Sequence, residues 1–121
     1  MACRPMRNLF LSFGLLSALF IAGCGSSTPG STSVTCELNP GTAGHVCTSY
    51  TGPGVATTCP TGKSVSSCPT TNALGVCSFS ISAGGITEAE ATTYYSDGSL
   101  TAAQAQMACT AGGSSYTWKA H

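Results

Sequence analysis

The sequence predicts a small α+β fold: a disulfide-rich module with an antiparallel sheet of three or four short strands and one helix near the C-terminus. Three observations predict it. Six cysteines (Cys36, Cys47, Cys59, Cys68, Cys77 and Cys109) punctuate a stretch poor in large apolar residues. Short runs alternate with period two and favour β-branched and aromatic residues, the signature of half-buried strands. One alanine-rich run near the end carries the chemistry of a helix start.

His45 to Tyr50 is the first strand: Val46, Thr48 and Tyr50 fall on one face, Cys47 and Ser49 on the other. Gly52-Pro53-Gly54 ends it. Thr57 to Asn72, rich in Thr, Ser, Pro and Gly, reads as irregular chain held by Cys59 and Cys68, with a brief strand at Val65. Val76 to Ser82 is the clearest strand, with Cys77, Phe79 and Ile81 on one face and three serines on the other. Ala83-Gly84-Gly85 supplies a reversal, and Thr92 to Tyr95 returns as the hairpin partner. Thr87 with Glu90 also fits a capping box, which makes a short helix from Glu88 to Tyr95 the rival; the β-branched and aromatic run favours the strand. Thr101 with Gln104 fits another, and Ala102 to Thr110 is rich in good helix formers, with Gly112-Gly113 as the stop. This helix is expected to carry Leu100, Ala103, Met107 and Ala108 near one face, with Cys109 beside it. Ser115 to Lys119 alternates again and forms the last strand.

An even count of six module cysteines reads as three bridges, with the pairing open among 15 possibilities. A core this sparse barely offsets chain entropy, and each bridge adds about 2–4 kcal/mol by restricting the unfolded chain. Metal is the competing reading. The gaps between successive cysteines are 10, 11, 8, 8 and 31 residues, with no C-x-x-C pair. That spacing speaks against zinc, an iron–sulfur cluster, covalent haem and thioredoxin-like redox chemistry. No cofactor or metal is expected.

The first residues explain much of the composition. Arg4 and Arg7 precede an apolar stretch from Leu9 to Ile21, thirteen residues long. As a helix it rises about 20 Å, short of the ~30 Å hydrocarbon core of a bilayer. A basic start, a short apolar run and small residues read as an export signal. It ends Ile21-Ala22-Gly23-Cys24-Gly25, which resembles the lipobox of bacterial lipoproteins, with Ile21 in place of the more usual leucine. The resemblance implies cleavage before Cys24, a diacylglyceryl thioether on its sulfur, and an acyl chain such as palmitate on the new amino terminus. Several acyl chains anchor a protein stably where one is marginal. Gly25, where the family's inner-membrane members carry aspartate, implies the outer membrane. The membrane is thus the expected partner.

The organisation that follows is a signal peptide over residues 1–23, a lipidated cysteine and Gly/Ser/Thr linker over 24–33, and a cysteine-rich module over 34–121. The linker, Gly25 to Ser33, spans roughly 17 Å on random-coil scaling. The run from Cys68-Pro69 through Leu74-Gly75-Val76-Cys77, Tyr94-Tyr95, Cys109 and Gly112-Gly113 to Trp118 resembles small cysteine-rich modules of bacterial envelope lipoproteins. That likeness covers about half the chain. It implies a fold and a setting outside the cytoplasm, and no activity.

The chain has 121 residues, and its four basic side chains balance its four acidic ones. After the leader is removed, Lys63 and Lys119 stand against Glu37, Glu88, Glu90 and Asp97, two minus four, a side-chain charge of −2. No basic patch offers itself to nucleic acid. His45 is the one candidate general base inside the module, and serines and threonines make up 32 of the 98 mature residues, so a serine near it carries little information. No nucleophile elbow is present. His45 is expected as a partly exposed strand residue, and no enzyme is expected. Tyr94, Tyr95, Tyr116 and Trp118 are the candidate binding residues: exposed together they would hold a glycan or a protein, buried they are core. Tyr94 and Tyr95 point to opposite faces of a strand, so at most one is core. A small hydrolase would need a cleft joining His45 to an acid; a binding module, a contiguous exposed aromatic patch; a structural or envelope-interaction module, neither.

Overall fold

The computed structural model describes residues 30–121. The expected signal peptide, Cys24 and the expected linker up to Pro29 lie outside the described residues. The ordered elements are β1 (Thr32–Leu38), β2 (Val46–Gly52), β3 (Lys63–Ser64), β4 (Ala73–Ala83), β5 (Ile86–Tyr95), α1 (Ala102–Thr110) and β6 (Tyr116–Ala120). The strands form one sheet in the order β3-β1-β2-β5-β4-β6, antiparallel at every junction. The expected antiparallel sheet with one helix near the C-terminus is present, with six strands rather than three or four.

The extra strands have local causes. Thr32 and Ser33, expected as the end of the linker, open β1 by pairing with Gly52 and Thr51. The Thr32 hydroxyl lies within hydrogen-bond reach of the Gly52 and Val55 carbonyls, at 3.0 and 3.1 Å. Val34 and Cys36 then alternate inward along β1. β3 is a two-residue edge strand on β1, one residue before the brief strand expected at Val65.

Strand register assigns the faces, because residues directly paired across a sheet share one. Cys36, Thr48, Thr92, Cys77 and Trp118 form one row across five strands, and Glu37, Cys47, Thr93, Val76 and Lys119 form the adjacent row on the opposite face. The bridges are Cys36–Cys59, Cys47–Cys68 and Cys77–Cys109. Cys36 and Cys47 therefore hold the segment between β2 and β4 from opposite faces. That segment turns around the open edge of β1 and pairs with it through β3. An exposed edge, the usual liability of a sheet, is thereby covered at Thr35 to Glu37.

The third bridge fastens α1 to the first face. Thr101 accepts the Gln104 backbone N–H at 3.3 Å, and the Gln104 side chain accepts the Thr101 N–H at 2.9 Å, which completes the expected capping box. The buried side of the helix is Ala105 and Cys109, not the side expected to carry Met107, which is 64% exposed. The bridge decides the rotation. At ~3.6 residues per turn, Ala105 sits one turn from Cys109 and points inward with it, while Met107, two residues from each, points out.

The rival helix at Glu88 to Tyr95 does not form. Gly84 and Gly85, at φ 60° and 79°, close a two-residue turn between Ala83 and Ile86. Two positive-φ residues match the twist of a tight hairpin, and β5 then gains partners on both sides, β4 and β2. The β4–β5 hairpin outruns its neighbours: β2 pairs only as far as Ala89 and β6 only as far as Phe79.

Candidate functional site

The most organised side-chain cluster lies at the end of the sheet away from this hairpin. The β1–β2 loop is shaped by Asn39 at φ 51° and by the Thr42 N–H to Asn39 and His45 N–H to Thr42 carbonyl bonds. It delivers His45 just before β2. His45 is 6% exposed, so it is neither in the strand nor partly exposed as expected. Its Nδ1 bonds Asp97 Oδ2 at 2.5 Å and its Nε2 bonds Glu37 Oε1 at 3.0 Å. Each ring nitrogen thus faces a carboxylate oxygen. The ring stacks on Tyr95 at 3.8 Å and 8°. Tyr95 is 1% exposed and donates its hydroxyl to the Pro69 carbonyl at 2.7 Å.

Asp97 ties three loops together. It accepts from His45, from the Gly41 backbone N–H at 3.1 Å and from the Asn72 side-chain amide at 3.1 Å. The His45 hydrogen bond above all, joined by those of Asn72 and Gly41, holds the Asp97 carboxyl below the ordinary carboxylate range against the opposing effect of desolvation. Burial pushes the Tyr95 phenol up, with the Glu37 charge adding to it. Chemically the cluster is a clamp. Both ring nitrogens are engaged, one ring face is covered, and His45 lines neither of the two clefts described below. The two carboxylates approach opposite nitrogens and do not converge on one point. Among the described residues no group of three His, Cys, Asp or Glu side chains is placed to hold a metal ion.

The candidate aromatics separate. Tyr95 is core and Tyr94 faces the other way, toward α1, tilted against Trp118 at 6.1 Å and 57°. Tyr116 stacks on Phe79 at 4.8 Å and packs against Gly112 at the end of the helix. Tyr94, Tyr116 and Trp118 thus share one face and are half-buried. Between the helix end and the sheet lies a cleft of ≈ 170 Å³ lined by Phe79, Glu90, Tyr94, Ala108 and Tyr116, among others. Burial and then the Glu90 charge raise the phenols of Tyr94 and Tyr50, and Glu90 is the cross-strand partner of Tyr50. A second, hydroxyl- and alanine-lined hollow of ≈ 260 Å³ lies on the opposite face around Ser49, Ser78 and Thr117.

Sequence reasoning named His45 and its potential acids but not their meeting, since Asp97 is 52 residues away and Glu37 on another strand. Phe79 and Glu90, which no sequence pattern marked as binding residues, both line the cleft. No protein-family model matches the chain, and neither does any curated protein or solved structure.

Proposed function

We propose that this protein is a lipid-anchored module of the bacterial envelope, exported, acylated on Cys24 and held outside the cytoplasm, with a structural or interaction role. The observation that supports the reading is the pairing of all six module cysteines in a chain whose leader ends Ile21-Ala22-Gly23-Cys24. Disulfides persist in oxidising compartments and are rare in the cytosol. By the lipobox resemblance, the acyl chains on Cys24 are the anchor and Gly25 favours the outer membrane. The clamp at His45 fits a structural part: it fixes loops. Metabolic labelling with a radioactive fatty acid tests the reading. Label on the wild-type protein and none on Cys24→Ser supports it; a mature protein that keeps its leader or takes no label sinks it.

A second reading, a binding module for a glycan or a protein, is favoured by one observation, the cleft where Tyr94, Tyr116 and Glu90 meet. Half-buried rings beside a carboxylate offer stacking faces and a hydrogen-bond acceptor. Tyr94→Ala is the variant that tests it, in a binding screen against envelope glycans and proteins.

A further inference from the structure

Three large apolar side chains are exposed among the described residues: Met107 on the helix, and Ile81 and Ile86 on the β4–β5 hairpin, at 52% and 46%. The two isoleucines belong together. Ile81 pairs with Glu88 and Ile86 with Ala83, so they are diagonal neighbours on one face of the ribbon. They lie on the part of the hairpin that runs beyond β2 and β6. The ribbon is well closed, with its two-glycine turn and the Ser82 and Thr87 hydroxyls 2.8 Å apart on the other face. Its tip, Ser82 to Thr87, carries no ionisable side chain, and Glu88, paired with Ile81 on the same face, stands at its base.

The start of the described chain lies at this same end. Thr32 pairs with Gly52, Thr51 with Ala89, and Ala89 with Ser80. Gly52 packs directly on Glu88. Thr32, Gly52, Glu88 and Ile81 are therefore level. Only β2 separates β1 from β5, about 10 Å sideways at two strand spacings. From that level the hairpin projects two more residues and its turn, about 7–10 Å at ~3.3 Å per residue. Seven residues, Gly25 to Ser31, join Cys24 to β1, and a Gly/Ser-rich stretch of that length reaches roughly 15 Å. The hairpin tip and the acylated cysteine thus reach one plane. Lys63 and Lys119 pair with Glu37 and Val76, toward the opposite end of the sheet, so no basic group at this end invites anionic headgroups.

We infer that the β4–β5 hairpin is a second, peripheral membrane contact: Ile81 and Ile86 enter the headgroup–acyl boundary of the bilayer that holds the Cys24 lipid. The inference rests on the lipid-anchor reading above. The contact fixes the module's orientation, with the His45 clamp pointing away from the lipid. Two aliphatic side chains add to an anchor without replacing it, and the Glu88 carboxylate paired with Ile81 on the same face stays at the headgroup level and keeps the contact shallow, so the attraction is apolar and does not weaken when salt screens charge.

The test uses the full-length protein purified from membranes and reconstituted into phosphatidylethanolamine/phosphatidylglycerol vesicles, with Ile86→Trp as the probe. Mass spectrometry of the N-terminal peptide comes first; an unacylated Cys24 overturns both the anchor and this inference. With acylation present, brominated acyl chains should quench the introduced indole roughly twofold or more, since interfacial side chains sit within ~5–10 Å of that boundary. The native Trp118, level with Cys77 and far from the tip, should keep its emission in the parent protein. Adding Ile81→Ser should reduce the quenching, and half-molar salt, which screens Glu88 from the anionic lipid, should not reduce it. An acylated protein whose introduced indole is not quenched overturns the hairpin contact and leaves the anchor standing. A blue shift that ignores bromine and grows with protein density assigns the tip to a second copy of the chain and likewise overturns it.

Discussion

His45 and Asp97 meet at 2.5 Å across 52 residues of sequence, Nδ1 against Oδ2. The contact joins the β1–β2 loop to the segment after β5, and Asn72 brings in the segment before β4 through the same carboxylate. In a domain whose fully buried side chains are Tyr95 and two bridged cysteines among the larger ones, a polar clamp does work that apolar packing does elsewhere. Its members are hydrogen-bonded, as buried polar groups must be to avoid a desolvation penalty.

Removing the ring should be costly. His45→Ala leaves two mostly buried carboxylates without their donor and strips a stacking partner from Tyr95. The expected loss is about 2–4 kcal/mol, the range for breaking a buried charge-assisted contact. Urea midpoints of the disulfide-intact protein measure it. His45→Phe should recover only part of the loss, because it restores the stack and not the donors. A midpoint shift within error for His45→Ala would show that the clamp is ornamental.

Acid and base should destabilise the module through different residues. Asp97 has a folded pKa below its unfolded value, so its contribution is complete above the ordinary carboxylate range and disappears as pH falls through the depressed pKa. The wild-type urea midpoint should therefore drop below about pH 4, and Asp97→Asn, already weaker at neutral pH, should flatten that part of the curve. Tyr50, Tyr94 and Tyr95 are shifted the other way, chiefly by burial. Their contribution is complete below the ordinary phenol value and is lost as pH rises above about 10. Tyr95→Phe, which also gives up the bond to Pro69, should lessen the alkaline loss. Equal slopes in wild type and variants would remove these groups as the cause.

What was legible in the sequence was whatever local pattern decides. The two-glycine turn, the capping box at Thr101 and the alternation from Val76 onward each specify their own geometry. Long-range choices were not legible. The face of α1 turned inward follows from which cysteine partners Cys109, and the spacing of six cysteines leaves that pairing open. β1 was hidden because Thr32 and Ser33 have linker composition and become strand only by pairing with β2. The His45 clamp was hidden for the same reason: its acids come from β1 and from the β5–α1 loop, and only the completed sheet brings them to one ring.

The three bridges should not be equivalent. Cys77–Cys109 closes a separation of 32 residues and is the covalent tie between α1 and the sheet. Replacing both cysteines with serine should lose about 3–4 kcal/mol on loop-entropy grounds. Amide exchange should rise first in Ala102–Thr110, because that helix buries only Ala105 and Cys109. Cys36–Cys59 and Cys47–Cys68 close 23 and 21 residues and hold the β2–β4 segment instead. Their paired replacements should speed exchange around Lys63–Ser64 and leave α1 protected. Uniform exchange in all three variants would mean that the module unfolds only as a whole.

Gly75 is the position where one methyl group should do most harm. It faces α1 in β4, and the ring of Trp118 lies across it. A Cβ built there meets the Trp118 ring on one side and the Lys119 carbonyl oxygen at 2.6 Å on the other. The ring is a half-buried side chain, but the carbonyl belongs to the backbone of a paired strand and cannot give without breaking the pairing. Gly75→Ala should therefore destabilise by about 1–3 kcal/mol, the range for overpacking a filled site, and should shift the emission of Trp118, the sole tryptophan. Gly84→Ala sets the contrast, because nothing lies within 4 Å of its Cβ and its φ of +60° alone is the strain: it should weaken the hairpin turn and leave the emission of Trp118 unchanged. A spectral shift in both variants, or in neither, would contradict the packing assigned to Gly75.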